Sequence, residues 1–202
     1  SFLNNILPLP DDGLIQTIEY LSPEQIPELP TLKNSIVDVK CTDQIGRIFI
    51  VEIQLEWSNG FTNRMMLNMA KALTRQLKRG DLYGGLTPVY GIAILDTIFR
   101  ENTTEWFHHY RMTHSDDPKE YLDTLHLVFI ELPKMIPATW VYRKLGVLWL
   151  RFLREIGDTT TTIDPDLLDN PFIAEAIDLA KRGAYSAPEL EWYDKYWDEI
   201  LS

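Results

Sequence analysis

The chain contains one cysteine, Cys41, among 202 residues, and no apolar run long enough to cross a bilayer. A single cysteine excludes an intrachain disulfide and is typical of a reducing compartment. We also expect no signal peptide. We therefore expect a cytoplasmic protein with no membrane partner.

Several catalytic signatures are missing as well. The sequence has no G-x-S-x-G element, no P-loop and no Rossmann glycine pattern. The four histidines do not form a zinc-ligand spacing with Cys41; they are His108, His109, His114 and His126. These absences argue against a serine hydrolase, a nucleotide-binding enzyme and a zinc protein.

Basic residues are in the minority, since 19 Lys and Arg stand against 30 Asp and Glu and give a net charge of −11. That balance alone argues against nucleic-acid binding. The distribution is uneven, however. No acid occurs between Trp57 and Gly80, a window that holds five basic residues, namely Arg64, Lys71, Arg75, Lys78 and Arg79. The acidic residues are concentrated toward the C-terminus.

The segment 35–57 consists of two apolar runs separated by the polar stretch CTDQIG. If the runs pair as a hairpin that turns near Gln44–Gly46, paired residue numbers sum to about 90. Asp38 then lies opposite Glu52, with Lys40 and Gln54 on the same face. Two adjacent acids repel, and a divalent cation between them removes the conflict. The alternative is that both are exposed positions of a one-sided sheet.

The remaining pattern predicts a mixed α/β sheet followed by helices. A helix is expected over residues 62–78, ended by Gly80, with a buried stripe of Met65, Met66, Met69, Leu73 and Leu77. Strands are expected over residues 88–95, 106–112 and 125–131, separated by a polar loop at 113–121. Asp96 and Glu131 end two of these runs, and capping or solvation is the expected role of both. Further helices are expected over residues 140–156, 171–182 and 188–201, with a linker at 157–169.

Four separated segments, from FLNNIL at Phe2 to LVFIELPK ending at Lys134, carry a family resemblance. In this order, and with the pattern D…ExQ at Asp38, Glu52 and Gln54, they resemble the PD-(D/E)xK nuclease family transposases, the Rpn-like recombination-promoting nucleases. The resemblance implies a restriction-endonuclease-like α/β core with a central mixed β-sheet flanked by helices. We expect this core over residues 1–135, with an N-terminal helix that is truncated because the natural protein begins earlier. A C-terminal helical extension, residues 136–202, is expected to pack on the core.

The resemblance also implies metal-dependent cleavage of DNA, associated with transposition and recombination. Asp38, Glu52 and Gln54 would be the catalytic residues, and Asp38, Glu52 and the backbone carbonyl of Ile53 would bind Mg²⁺, with Mn²⁺ as an alternative. Gln54 stands where most PD-(D/E)xK enzymes have lysine, so we expect weaker activation of the attacking water. Lys40 is a candidate for the missing cation.

DNA is the expected partner, and a homodimer is compatible with the sequence. The expected DNA-binding residues are Lys40, Arg64, Lys71, Arg75 and Lys78, which match a charged backbone in sign. The alternative for those on the helix is an ordinary solvated face. The alternative for the whole chain is a catalytically inactive, transposon-derived domain that keeps the fold and binds DNA or a protein.

Overall fold

The computed structural model of the protein describes residues 2–9, 13–21, 38–54, 58–135, 145–156, 160 and 162–182. Residues 1–140 and 141–202 form two separate units. The elements of the first unit are α1 (Phe2–Ile6), β1 (Ile18–Leu21), β2 (Val39–Asp43), β3 (Ile48–Gln54), α2 (Asn59–Thr74), β4 (Val89–Leu95), β5 (Phe107–Thr113) and β6 (Tyr121–Glu131). Those of the second are α3 (Leu145–Glu155), α4 (Pro165–Leu168) and α5 (Pro171–Arg182). None of the helices described is long and apolar enough to cross a membrane.

The six strands of the first unit form one mixed sheet in the order β1-β2-β3-β4-β6-β5. The central strands β3, β4 and β6 are parallel, and antiparallel pairs lie on both sides of them. The parallel pair β3–β4 is joined through α2, as a parallel connection requires a crossover. The predicted mixed α/β sheet is therefore confirmed.

The β2–β3 hairpin has the predicted register. Val39 pairs with Val51 and Lys40 pairs with Ile50, so paired residue numbers sum to 90. The turn also lies where it was predicted, because Gly46 takes the positive φ of 84° that favours glycine. The Asp43 carboxylate fixes the turn by accepting the N–H of Ile45 at 3.1 Å and that of Arg47 at 2.9 Å.

Helix α2 packs on the sheet face that carries the even-numbered residues of β3. Met65 and Met69 are fully buried there against Ile48, Ile50 and strands β4 and β6. The predicted burial of Met66 is wrong, because its side chain is 42% exposed. Asn68 is buried instead. It lies three residues after Met65 and therefore on the same helix face, over β3.

The predicted bounds of α2 are shifted. The helix starts at Asn59, three residues before its expected start, and ends at Thr74, four residues before its expected end at residue 78. The early end has a physical cause in Gln76, whose side chain pairs with the backbone of Thr87. Gln76 Oε1 accepts the Thr87 N–H at 2.7 Å, and Gln76 Nε2 donates to the Thr87 carbonyl at 3.0 Å. These bonds turn the chain toward β4.

Two further boundaries differ from the prediction. Strand β6 begins at Tyr121, four residues before its expected start, and β5 ends at Thr113, so the expected loop 113–121 is shortened at both ends. Met112 pairs with Leu122 and Thr113 with Tyr121 beyond a bulge. Their side chains are exposed, so the apolar pattern does not mark them. The expected linker 157–169 contains α4, whose N-cap Asp164 accepts the N–H of Asp166 at 2.9 Å.

The helices of the second unit partly match the prediction. Helix α5 has the predicted bounds, and α3 covers the part of its predicted range that is described. The expected helix 188–201 lies outside the described residues.

Candidate active site

The carboxyl end of β3 brings Asp38 and Glu52 to the same part of the sheet. Asp38 directly precedes β2, and its Oδ2 accepts the backbone N–H of Ile53 at 2.7 Å. The hairpin register places residue 38 opposite residue 52, on the face covered by α2. In an open α/β sheet this edge, outside the carboxyl ends of parallel strands, is where ligands bind.

Helix α2 supplies two polar side chains to the same point. Arg64 Nη2 lies 3.1 Å from Glu52 Oε2 and 3.1 Å from Gln54 Oε1. Asn68 Nδ2 donates to the other Glu52 oxygen, Oε1, at 3.0 Å. Both oxygens of Glu52 are thus engaged, and its side chain is only 4% exposed.

Burial is the largest influence on the ionisation of the two acids. Burial raises the pKa of Glu52, the Arg64 guanidinium and the Asn68 hydrogen bond oppose the increase, and the Asp38 carboxylate adds to it. Burial also raises the pKa of Asp38, against the Ile53 hydrogen bond and the Arg64 charge. The pair therefore resists carrying two negative charges and would be stabilised by additional positive charge.

The donor set matches a hard divalent cation, which prefers carboxylate, carbonyl and water oxygens. Among the described residues no three His, Cys, Asp or Glu side chains come together as a metal site. Asp38 and Glu52 would therefore need further oxygens, and the Ile53 carbonyl follows Glu52 directly along β3. One buried acceptor, Asn68 Oδ1, has no hydrogen-bond partner in the described part of the chain. An oxygen acceptor without a donor suits a hydrated cation.

Comparison with known proteins gives one match, and it covers almost the whole chain. The sequence profile of the PD-(D/E)XK nuclease family transposases matches residues 1–200. The chain belongs to this family. The mixed six-stranded sheet is accordingly the restriction-endonuclease-like α/β fold expected of a PD-(D/E)XK protein. Searches of curated proteins and of solved structures gave no match.

The basic residues expected to bind DNA in this PD-(D/E)XK protein do not form one solvated stripe. Arg64 points to Glu52. Asn68, which lies between Arg64 and Lys71 on the same face of α2, is fully buried. Lys40 and Lys71 are half-buried. Burial and the nearby Arg75 charge lower the pKa of each, so positive charges from β2 and α2 lie close together. Lys78 is exposed beyond the end of the helix.

Asn68 is the site residue that sequence reasoning missed. The family pattern D…ExQ does not extend into the helix, and the basic neighbours of Asn68 suggested a solvent-facing position. A usable signal was present in the spacing, because Arg64 and Asn68 lie four residues apart on one helix face. A helix that follows the carboxyl end of β3 must begin beside the residues at that end.

Glu131 belongs to a separate buried cluster at the end of β6. Its side chain has no exposed surface. It accepts the N–H groups of Phe99 at 2.6 Å and Arg100 at 3.0 Å, and it pairs with His108 at 2.9 Å and with Lys134. The expected solvation of Glu131 is wrong, because its carboxylate is buried and binds the backbone of the loop at residues 99–100. Asp96, at the end of β4, is exposed.

Cys41 has no features of a nucleophile. The side chain is buried, and burial together with the Asp43 carboxylate raises the pKa of the thiol to about 11. The thiol is therefore protonated at neutral pH.

Proposed function

We propose that the protein is a metal-dependent DNA endonuclease that hydrolyses phosphodiester bonds in transposition or recombination. Membership of the PD-(D/E)XK nuclease family transposases supports nuclease chemistry in general. The observation that carries the specific proposal is the convergence of Asp38 and Glu52 at one end of β3, with Asp38 bonded to Ile53 and Glu52 bonded to α2.

Asp38, Glu52 and the Ile53 carbonyl would hold the cation. Mg²⁺, or Mn²⁺ in its place, would supply charge neutralisation at the scissile phosphate and a water of lowered pKa. The carboxylates contribute by staying ionised under a cation, which offsets the burial that raises their pKa values. Gln54 can orient a water or a phosphate oxygen by hydrogen bonding, but it cannot transfer a proton as a lysine can.

DNA would be bound along α2 and the start of β2. Lys40, Lys71 and Arg75 lie near one another, which concentrates positive charge on β2 and α2 in a protein that is otherwise acidic. Arg64 on α2 and Lys78 beyond the end of the helix would extend this surface. Contacts of this kind position a phosphate backbone without reading base sequence.

The same proposal includes the substrate, the compartment and the oligomeric state. DNA in a reducing cytoplasm is the substrate, and a homodimer, which would cut both strands, is compatible with the chain. We also propose that residues 1–135 form the nuclease core and residues 136–202 a C-terminal helical extension.

A second candidate is a catalytically inactive relative that retains the fold and binds DNA or a protein partner. Gln54 favours it, because the residue is neutral where most PD-(D/E)xK enzymes carry lysine. The Arg64 contact to Glu52 also favours it, since a guanidinium already neutralises part of the charge that a cation would bind.

A plasmid-nicking assay tests the enzymatic proposal. Supercoiled DNA is incubated with the protein and Mg²⁺ or Mn²⁺, alongside the variants Asp38→Asn and Glu52→Gln, and metal binding is measured by calorimetry. Each variant should lose at least about 100-fold in rate and should bind the ion more weakly. Asp116→Asn, an exposed acid in the β5–β6 turn, is the control for the loss of one charge.

The two candidates give different results. Nicking that requires the ion and is lost in both site variants supports the endonuclease. DNA binding without nicking by the parent protein supports the inactive relative. Equal nicking by the parent and both variants contradicts the proposed site.

A further inference from the structure

The site contains a positive charge at the place where the sequence pattern lacks one. Gln54 is neutral, yet its Oε1 lies 3.1 Å from Arg64 Nη2, the same atom that is 3.1 Å from Glu52 Oε2. A single guanidinium nitrogen from α2 therefore bridges both side chains of the ExQ pattern. Lys40 is the other candidate for this charge, but it pairs with Ile50, and the cation that influences its pKa is Arg75.

Several contacts hold Arg64 in this position. Its guanidinium lies over the Phe61 ring, 5.1 Å from the centroid, in cation–π geometry. Asn68, one turn further along α2, holds the opposite oxygen of Glu52. The Arg64 side chain is still 37% exposed, against 4% for Glu52. The Arg64 side chain thus binds the buried carboxylate while more than a third of its surface stays exposed.

We propose that Arg64 supplies, from α2, the positive charge that a lysine two residues after the glutamate supplies in most PD-(D/E)xK enzymes, and that Gln54 serves to hold this guanidinium. The inference rests on the proposed function and deepens it. The exposed part of Arg64 would contact an oxygen of the scissile phosphate, where a planar guanidinium with five N–H donors is well suited to bind. Because a guanidinium has only N–H donors and no acceptor, the contribution of Arg64 is charge and orientation, not the acceptance of a proton.

The inference predicts how a lysine at position 54 would interact with Glu52 and Arg64. A lysine placed there beside Arg64 would put two cations on one carboxylate and create repulsion. The same lysine should be favourable once Arg64 is neutral, since it would then be the partner of Glu52. Replacing Arg64 by glutamine and Gln54 by lysine would in this way move the positive charge from α2 to β3.

The experiment compares the parent with Arg64→Gln, Gln54→Lys and the double variant Gln54→Lys/Arg64→Gln. Urea unfolding of each metal-free protein gives the coupling between positions 54 and 64, and this readout does not depend on activity. Gln54→Lys should raise the equilibrium constant for unfolding when Arg64 is present and lower it in the Arg64→Gln background. The two effects should differ by a factor of about five or more. Arg79→Gln, an exposed arginine outside the site, is the charge-matched control.

Plasmid nicking by the same proteins gives the second readout. Arg64→Gln should lower kcat by about 100-fold with little change in KM, and the double variant should recover at least about tenfold of the loss. Arg64→Lys keeps the charge and should keep part of the activity, which separates charge from folding defects. Lys71→Gln, on the proposed DNA surface, should change KM more than kcat.

The outcomes separate this inference from the proposed function. A missing coupling between positions 54 and 64, a double variant no better than Arg64→Gln, or an effect of Arg64→Gln on KM alone would overturn it. If the coupling has the expected sign but neither the parent nor any variant nicks DNA, the endonuclease proposal fails. Arg64 is then still the residue that supplies the positive charge beside Glu52 and Gln54.

Discussion

Glu131 is buried as an anion and held by four donors, two from backbone N–H groups and two from His108 and Lys134. Its Gln variant would lose the charge and present an NH₂ group to donors that need an acceptor. We expect Glu131→Gln to lower the free energy of unfolding at pH 7 by about 3 kcal/mol, measured by urea denaturation. Glu175→Gln, an exposed acid on α5, should change it little.

The pH dependence of this effect has a definite sign. Burial acts to raise the pKa of Glu131, but the hydrogen bonds from Lys134, His108 and the two backbone groups lower it below its ordinary value. The stabilisation is therefore complete above the ordinary glutamate pKa of about 4.3 and is lost as the pH falls through the lowered pKa. Parent and variant should converge in stability on acidification. A constant difference from pH 7 down to pH 2 would contradict this account.

Helix α2 reaches the sheet closely because β4 has a glycine beneath it. A Cβ at Gly91 would lie 2.5 Å from Met69 Sδ and 3.2 Å from Met65 Sδ, in a region where both methionines are fully buried. Gly91→Ala should therefore displace the Met69 side chain within a fully packed region and destabilise the protein by about 1–3 kcal/mol. Thermal unfolding measures the loss, with Gly84→Ala as control, since a Cβ there meets nothing within 4 Å. Equal midpoints for the two variants would show that the methionines repack without loss.

The elements best predicted from the sequence are those whose side chains alternate between core and surface. The β2–β3 register follows from period-2 alternation around a turn with a glycine, so Asp38 and Glu52 could be paired without a structure. The first four residues of β6 could not be found this way, because Tyr121 and Leu122 are both exposed.

The side-chain contacts across elements were beyond the sequence for a different reason. Arg64 and Asn68 reach Glu52 only because α2 packs at a particular angle and depth on β3, which depends on Gly91 and the methionines above it. Helical spacing places Arg64 and Asn68 on one face but does not reveal that this face covers a carboxylate. The end of α2 depends likewise on a distant partner, Thr87, bound by Gln76.

At the scale of the whole molecule, acidic and basic residues are unevenly distributed along the chain. A net charge of −11 repels DNA at long range, while the segment 57–80 contains no acid. If the protein binds DNA as proposed, attraction must come from a few cations on and near α2, because other surfaces of the protein would oppose binding. This arrangement favours one orientation of DNA on the protein over a general affinity for polyanions.

The salt dependence of DNA binding tests this arrangement. If the contacts are Lys40, Arg64, Lys71, Arg75 and Lys78, the slope of log K against log salt for duplex DNA should be no steeper than about −4.5. Lys78→Gln should make the slope shallower by about 0.9, because it removes one phosphate contact from an exposed position. Binding is measured by fluorescence anisotropy in EDTA, so that cleavage does not interfere. Lys119→Gln, an exposed lysine in the β5–β6 turn, should leave the slope unchanged. A slope equally reduced by both variants would mean that DNA binds through diffuse charge and not through α2.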